Sequence, residues 1–291
     1  MPVQVESAHR GPRISRLLLG LEFRRLRDER GEQLQETAKL LLISSSKLSR
    51  IETGQAVPRP RDLRDLIKHF GIEGTEAAAR VRALAESAME PGWWTELGIA
   101  MPSRLETFIE YENAAAEISS HEPIVFPGLL QTADYARAVV TDLTSTDAID
   151  APPIDDQVAL RMARQEHVFD APTPPVLRTA FPESVLARPV GTTAVMNAQL
   201  TLLAERSEDE NTHVHVIPNS AGLYRAMEGG FTIFSFAIGQ VPDVVNTESV
   251  LTNFFYTTEE VVAKHRALFN ELGRKWLDRK ESRDMIMSYR R

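Results

Sequence analysis

The sequence predicts a mainly α chain with an α+β C-terminal part: a five-helix N-terminal domain, then a larger α+β domain with a small, mostly antiparallel sheet. Three observations predict this. A length of 291 residues suits two domains better than one. Apolar residues recur at helical spacing from Leu17 to about Phe70, whereas short β-like runs cluster only in the last 120 or so positions, after further helices. Charge divides along the chain: residues 1–72 hold 14 basic and 9 acidic side chains, a net of +5, and the rest carries −13 of the total of −8. A basic head on an acidic body fits a phosphate-facing domain joined to one that nucleic acid repels.

Element by element, residues 1–16 read as a flexible basic arm, with Arg10, Arg13 and Arg16 beside the breakers Gly11 and Pro12. A first helix is expected near 17–30, apolar at Leu18, Leu21, Phe23 and Leu26 and stopped by Gly31. A second near 34–41 places Leu34, Ala38 and Leu41 on one face. A third near 45–53 buries Leu48 and Ile51 and ends at Gly54. Asp62 is expected to cap a fourth helix that buries Leu63, Leu66, Ile67 and Phe70. A fifth, from Thr75 to Met89, reads as a connecting helix that stops before Pro91-Gly92. The expected organisation is therefore an arm at 1–16, a domain at 17–72, a connecting helix and hinge at 73–92, and an α+β sensor or interaction domain at 93–291. Within that last domain, helices are predicted near 103–118, 132–143, 155–168, 192–206 and 258–280. Strands are predicted near 176–181, 213–217, 230–237, 244–248 and 253–257, with a surface loop at 144–153.

Composition narrows the function. With no cysteine, the chain has no disulfide, thiolate zinc site or cysteine nucleophile. No apolar run is long enough to span a membrane, and the first residues lack the apolar core of a signal peptide, so a cytoplasmic protein with no membrane partner is expected. Nucleophile elbows, phosphate loops, dinucleotide fingerprints and zinc-protease motifs are all missing; no catalytic residue, cofactor or metal is predicted.

The specific stretch is LQETAKLLLISSSKLSRIETG, Leu34 to Gly54. Two short helices crossing steeply need a small residue where their backbones meet, and Ala38 supplies it. Ile43 can plug the turn, Ser44 can cap the next helix, and Leu48 and Ile51 face inward. What remains outward is Ser45, Ser46, Lys47, Ser49 and Arg50, all hydrogen-bond donors able to reach base edges or phosphates in a major groove.

This stretch, with residues 17–72 around it, resembles the Xre-type, lambda-repressor-like helix-turn-helix family. The resemblance implies that Ser45, Ser46, Ser49 and Arg50 read bases, Arg50 as a bidentate partner of guanine, while Gln35, Ser44, Lys47, Gln55, Arg59 and Arg61 contact phosphates. It also implies that Arg27 and Glu52 tie the first and third helices together. Leu42 stands where the family usually has glycine, Gln33 where it has a Ser or Thr cap, and Glu32 where an apolar residue is common. The remainder, marked by Pro91-Gly92-Trp93-Trp94, EYENAAAEISSHEPIVFPGLLQTADYARAVV, Arg164-Gln165 and Arg188-Pro189-Val190-Gly191, resembles the region appended to many actinobacterial regulators of this type. The implied function is a transcription regulator that binds a double-stranded operator as a homodimer and responds through its C-terminal domain to a small molecule or a partner protein. The alternative is an antitoxin-like protein that sequesters a small neighbour-encoded protein and autoregulates its operon.

Weaker signals have plainer readings. FPGLLQT, 126–132, reads as a helix start that packs Leu129, Leu130 and Tyr135, rather than as a ligand contact. Trp93 and Trp94 read as hinge packing rather than an aromatic lid. His213 and His215 share one face of a strand, but no third metal ligand stands at a diagnostic spacing.

Overall fold

The computed structural model describes residues 12–143, 152–237, 241–248 and 253–291. They divide into two compact units, one mainly of residues up to Glu96 and one mainly of Leu97 onward.

The first unit is helical: α1 (Pro12–Glu29), α2 (Leu34–Leu40), α3 (Ser45–Glu52), α4 (Pro60–His69) and α5 (Glu76–Ser87), then a short 3-10 turn at Trp93–Leu97. The expected arm is corrected at its end, because residues 12–16 are the first turns of α1 and Ile14 is buried. Pro12 does not break the helix but starts it; proline is tolerated in a first turn, where its missing N–H would have no partner anyway. Residues 1–11 of the arm lie outside the described residues. One core joins Leu19, Phe23 and Leu26 of α1 to Ala38, Leu48, Ile51, Leu66 and Ile67. Ala78, Val81 and Ala85 of α5 belong to the same core, so this helix is a structural member of the unit rather than a bare connector. Trp94 is buried, its ring lying over Gly92 where any Cβ would collide with it.

The second unit opens with α6 (Ser103–Ala114), β1 (Glu117–His121), a 3-10 turn at Gly128–Leu130, α7 (Ala133–Leu143) and α8 (Ile154–Phe169). It continues through β2 (Val176–Pro182), α9 (Glu183–Ala187), α10 (Thr193–Arg206), β3 (Thr212–Ile217), β4 (Phe231–Ser235), β5 (Val244–Glu248) and β6 (Asn253–Tyr256). It ends with α11 (Glu259–Leu272) and α12 (Arg279–Ser288). Of the expected loop at 144–153, residues 144–151 lie outside the described residues.

The strands form a six-stranded mixed sheet ordered β3-β2-β1-β4-β5-β6. β1, β2 and β3 run parallel; β1 with β4, β4 with β5, and β5 with β6 run antiparallel. The small, mostly antiparallel sheet is thus corrected. Its missing member is β1, whose start was read as the end of a helix at 103–118. The run Ala114-Ala115-Ala116-Glu117 has helical composition, and β1, hydrogen-bonded on both edges, is fixed by partners far away in sequence. Its parallel neighbours need long crossovers, which α7 and α8, then α9 and α10, provide. A second correction splits the terminal helix expected at 258–280. Asp278 accepts from the Glu281 amide at 2.8 Å while Glu281 accepts from the Asp278 amide at 3.1 Å, a capping box that starts α12.

One sheet face carries Ala180, Ile217, Phe231, Ile233 and Val245 beneath Val262, Phe269 and Leu272 of α11. His215 lies on this side, stacked on Trp276 with ring centroids 4.3 Å apart and hydrogen-bonded to the Leu277 carbonyl. Among the described residues no group of three His, Asp or Glu could hold a metal. On the opposite face the pairing lines up Thr179, Ser120, Thr232 and Asn246, a buried row of small polar side chains.

Candidate nucleic-acid interface

The turn between α2 and α3 is built from backbone. Beyond Leu40, the Ile43 amide donates to the Ala38 carbonyl and the Leu42 amide to the Lys39 carbonyl, the paired bonds of a Schellman stop. That stop demands a left-handed residue, and Leu42 takes it at φ +54°; no other non-glycine among the described residues has positive φ. Its side chain is 86% exposed and so gains little packing in return. After α3 the same pair of bonds recurs, and there Gly54 holds φ +69°. Ser44 caps α3, its Oγ accepting from the Lys47 amide at 3.1 Å.

Leu48 and Ile51 bury the underside of α3, which exposes Ser46 and Arg50 and leaves Ser45, Lys47 and Ser49 half-buried. Gln35 on α2, Ser44, Gln55, Arg59 and Arg61 are exposed around it. Lys47 is not idle: its Nζ donates to Asp62 Oδ2 at 2.6 Å. This corrects the expected cap. Pro60 begins α4 and Arg59 is its N-cap residue, so Asp62 lies two residues inside the helix, where its carboxylate serves Lys47.

Two contacts fix α3 from behind. Arg27 donates twice to the Glu52 carboxylate, at 2.7 and 2.9 Å, and both residues are buried. A pair of this geometry is strongly directional, and removing one partner strands a buried charge. Gly20 of α1 touches the end of α3 so closely that a Cβ there would lie 2.5 Å from the Ile51 carbonyl oxygen and 2.6 Å from that of Glu52. Sequence reasoning missed Gly20, because only the crossing reveals the need.

Glu32, a misfit in the sequence, is an acceptor hub for His69 (2.7 Å), Thr37 (2.7 Å) and Arg30 (2.8 Å). Burial works against its charge, but these hydrogen bonds win and hold the carboxyl down at about 2. Gln33, in the place of the usual cap, lends its amide to Glu36 at 3.2 Å.

A family model described as a helix-turn-helix domain matches residues 18–89, the unit just described. A second, described as a domain of unknown function (DUF5753), matches residues 105–288, well over half of the chain. The chain belongs to the DUF5753 family. Neither a curated protein nor a solved structure matches it. The chain is therefore a helix-turn-helix protein of the kind that binds DNA, with a DUF5753 domain attached. No described helix is long and apolar enough to cross a membrane.

The DUF5753 domain holds a polar network between its helices and the segment 126–132. Gln131 donates to the Phe126 carbonyl at 2.6 Å, Gln165 to Gly128 and Gln131 carbonyls at 2.9 and 2.8 Å, and Gln199 to the Leu130 carbonyl at 2.6 Å. Leu129, Leu130 and Tyr135 are buried beneath, and Thr132 Oγ1 accepts from the Tyr135 amide at 3.2 Å. Arg164 on α8 donates to both Glu112 oxygens, at 2.8 and 2.7 Å, and lies 5.1 Å from the Phe108 ring centroid. The Arg164-Gln165 pair and the stretches that hold Glu112 and Gln131 were visible in the sequence; that they meet was not, for no local pattern pairs them.

Proposed function

We propose that this DUF5753 protein is a sequence-specific transcriptional regulator of the Xre type. In this reading α3 enters a major groove, α1 to α5 together form the reading domain, and the residues after α5 lead to a C-terminal domain that dimerises and responds to a small ligand. One observation carries the reading: a helix whose apolar side and rear ion pair are buried presents only serine, lysine and arginine to solvent. Ser45, Ser46, Ser49 and Arg50 are assigned to base edges, and Gln35, Ser44, Lys47, Gln55, Arg59 and Arg61 to phosphates. Lys47 must exchange Asp62 for a phosphate oxygen on binding.

The test locates the protein on its own promoter region by footprinting and then compares that duplex with random duplex. Arg50→Ala should cost about 1–3 kcal/mol on the operator and relax preference at one base pair. Lys47→Ala should weaken both duplexes alike and lower the salt slope by about 1. Equal losses on operator and random DNA for both variants overturn the division of roles, and no binding to any duplex at low salt overturns the function.

A further inference from the structure

The run Arg188-Pro189-Val190-Gly191 carries the chain from α9 towards α10. Val190 is buried and anchors it. Gly191 turns it at φ +64°, where a Cβ would lie 3.2 Å from Ala138 Cβ and 3.3 Å from Val195 Cγ1, so a larger residue would be both strained and crowded. Between this loop, the start of α10 and the residues after α12 lies a cavity of about 100 Å³. Its walls are tied together. Asn197 of α10 donates to the Arg291 carbonyl at 2.5 Å and accepts from the Arg291 amide at 2.9 Å. Tyr289 Oη donates to Glu183 Oε1 at 2.7 Å, and Arg188 Nη1 donates to the Ile124 carbonyl. Two cations line the cavity, Arg188 and Arg291, and no acidic side chain does. Among the described residues neither arginine has a carboxylate within ion-pair distance. The first turn of α10 is capped from within, Thr192 Oγ1 accepting from the Val195 amide at 3.3 Å, so the draw on an anion comes from the two guanidinium groups. Leu186, Pro189 and Met196 supply an apolar part of the same wall.

We propose that this cavity binds a small organic carboxylate, one acid group on a compact apolar body, with Arg188 and Arg291 on its oxygens and Leu186, Pro189 and Met196 against its carbon. An amine would be repelled by the two cations, and a neutral molecule would leave them unanswered. An inorganic anion answers the charge but sets a hydrated surface against the apolar wall, whereas a carboxylate with a carbon body satisfies both. Size limits the body. At roughly 10–15 Å³ for each water-sized group, the cavity admits about seven to ten non-hydrogen atoms. A ligand this small binds in the micromolar to millimolar range. Bound, it bridges the loop after α9 to the residues after α12, and so stabilises the folded domain. The inference rests on the reading of this domain as ligand-responsive.

The test is thermal shift and saturation-transfer NMR of the full chain with sodium benzoate, phenylacetate, isovalerate and hexanoate, each at up to about 10 mM. The matching primary amides, inorganic phosphate and sodium chloride are run beside them at equal ionic strength. At least one carboxylate should bind and raise the melting temperature, while its amide and phosphate should not. Arg188→Gln and Arg291→Gln should each weaken that binding by about tenfold or more. Arg290→Gln, at an exposed neighbour outside the cavity lining, should leave it unchanged. No binding by any of the carboxylates, equal binding by an amide or by phosphate, or equal losses in all three variants overturns the site. Unchanged affinity in both cavity variants, with their circular dichroism intact, does so as well; should they fail to fold, the wild-type series with its analogues still decides. Promoter duplex affinity is measured with and without the bound carboxylate. A shift supports the sensing role, and binding without a shift overturns that role but keeps the site. A chain that binds the carboxylate yet no duplex overturns the regulator reading alone.

Discussion

Leu42 pays a backbone penalty that its own side chain does not recover, since the residue is left-handed and mostly in water. Leu42→Gly should therefore stabilise the protein by up to about 1 kcal/mol, less the entropy glycine adds to the unfolded chain. A higher urea midpoint at unchanged slope is the expected result; a lower one would mean that the side chain packs usefully. Glu32 supplies the acid response. Its folded carboxyl, at about 2, lies below its ordinary value of 4.5, so its stabilisation is present above the ordinary value and fades as pH falls toward the folded one. The difference in melting temperature between wild type and Glu32→Gln should accordingly shrink between about pH 4.5 and 2. Leu42 was legible in the sequence, as a glycine position without glycine. Glu32 was not, because His69 stands 37 positions away and only the fold delivers it.

Among the elements, α3 depends on α1 for its pose. The Gly20 contact leaves no room for a methyl group beside two carbonyl oxygens, so Gly20→Ala should push α1 and α3 apart at about 1–3 kcal/mol. Chemical denaturation should show that loss, and duplex affinity should fall with it under conditions where the variant is still folded; an unchanged midpoint would refute the close approach. The helices of the first unit were readable because each has its own apolar period, and α3 also shows a cap and a stop. β1 was not, since its polar Ser119, Ser120 and His121 are buried by neighbours rather than by pattern. The start of α12 was available in the Asp278–Glu281 spacing, but a continuous helical period across residues 258–280 hid it.

For the whole molecule, dimerisation makes a definite claim about mass. Light scattering at the concentrations used for DNA binding should return twice the 32.6 kDa of one chain, with protection over two half-sites about one DNA turn apart. A single-chain mass with a single protected site would remove the dimer. The two-part organisation was legible from charge and periodicity, whereas the parallel half of the sheet needed long-range pairing that no window of sequence displays. The segment 126–132 of the second unit is fastened by Gln131, Gln165 and Gln199, neutral amides that neither acid nor added electrolyte can discharge. Its amide protons should therefore exchange equally slowly across a series of buffers of differing pH and salt, once the intrinsic pH dependence of exchange is removed.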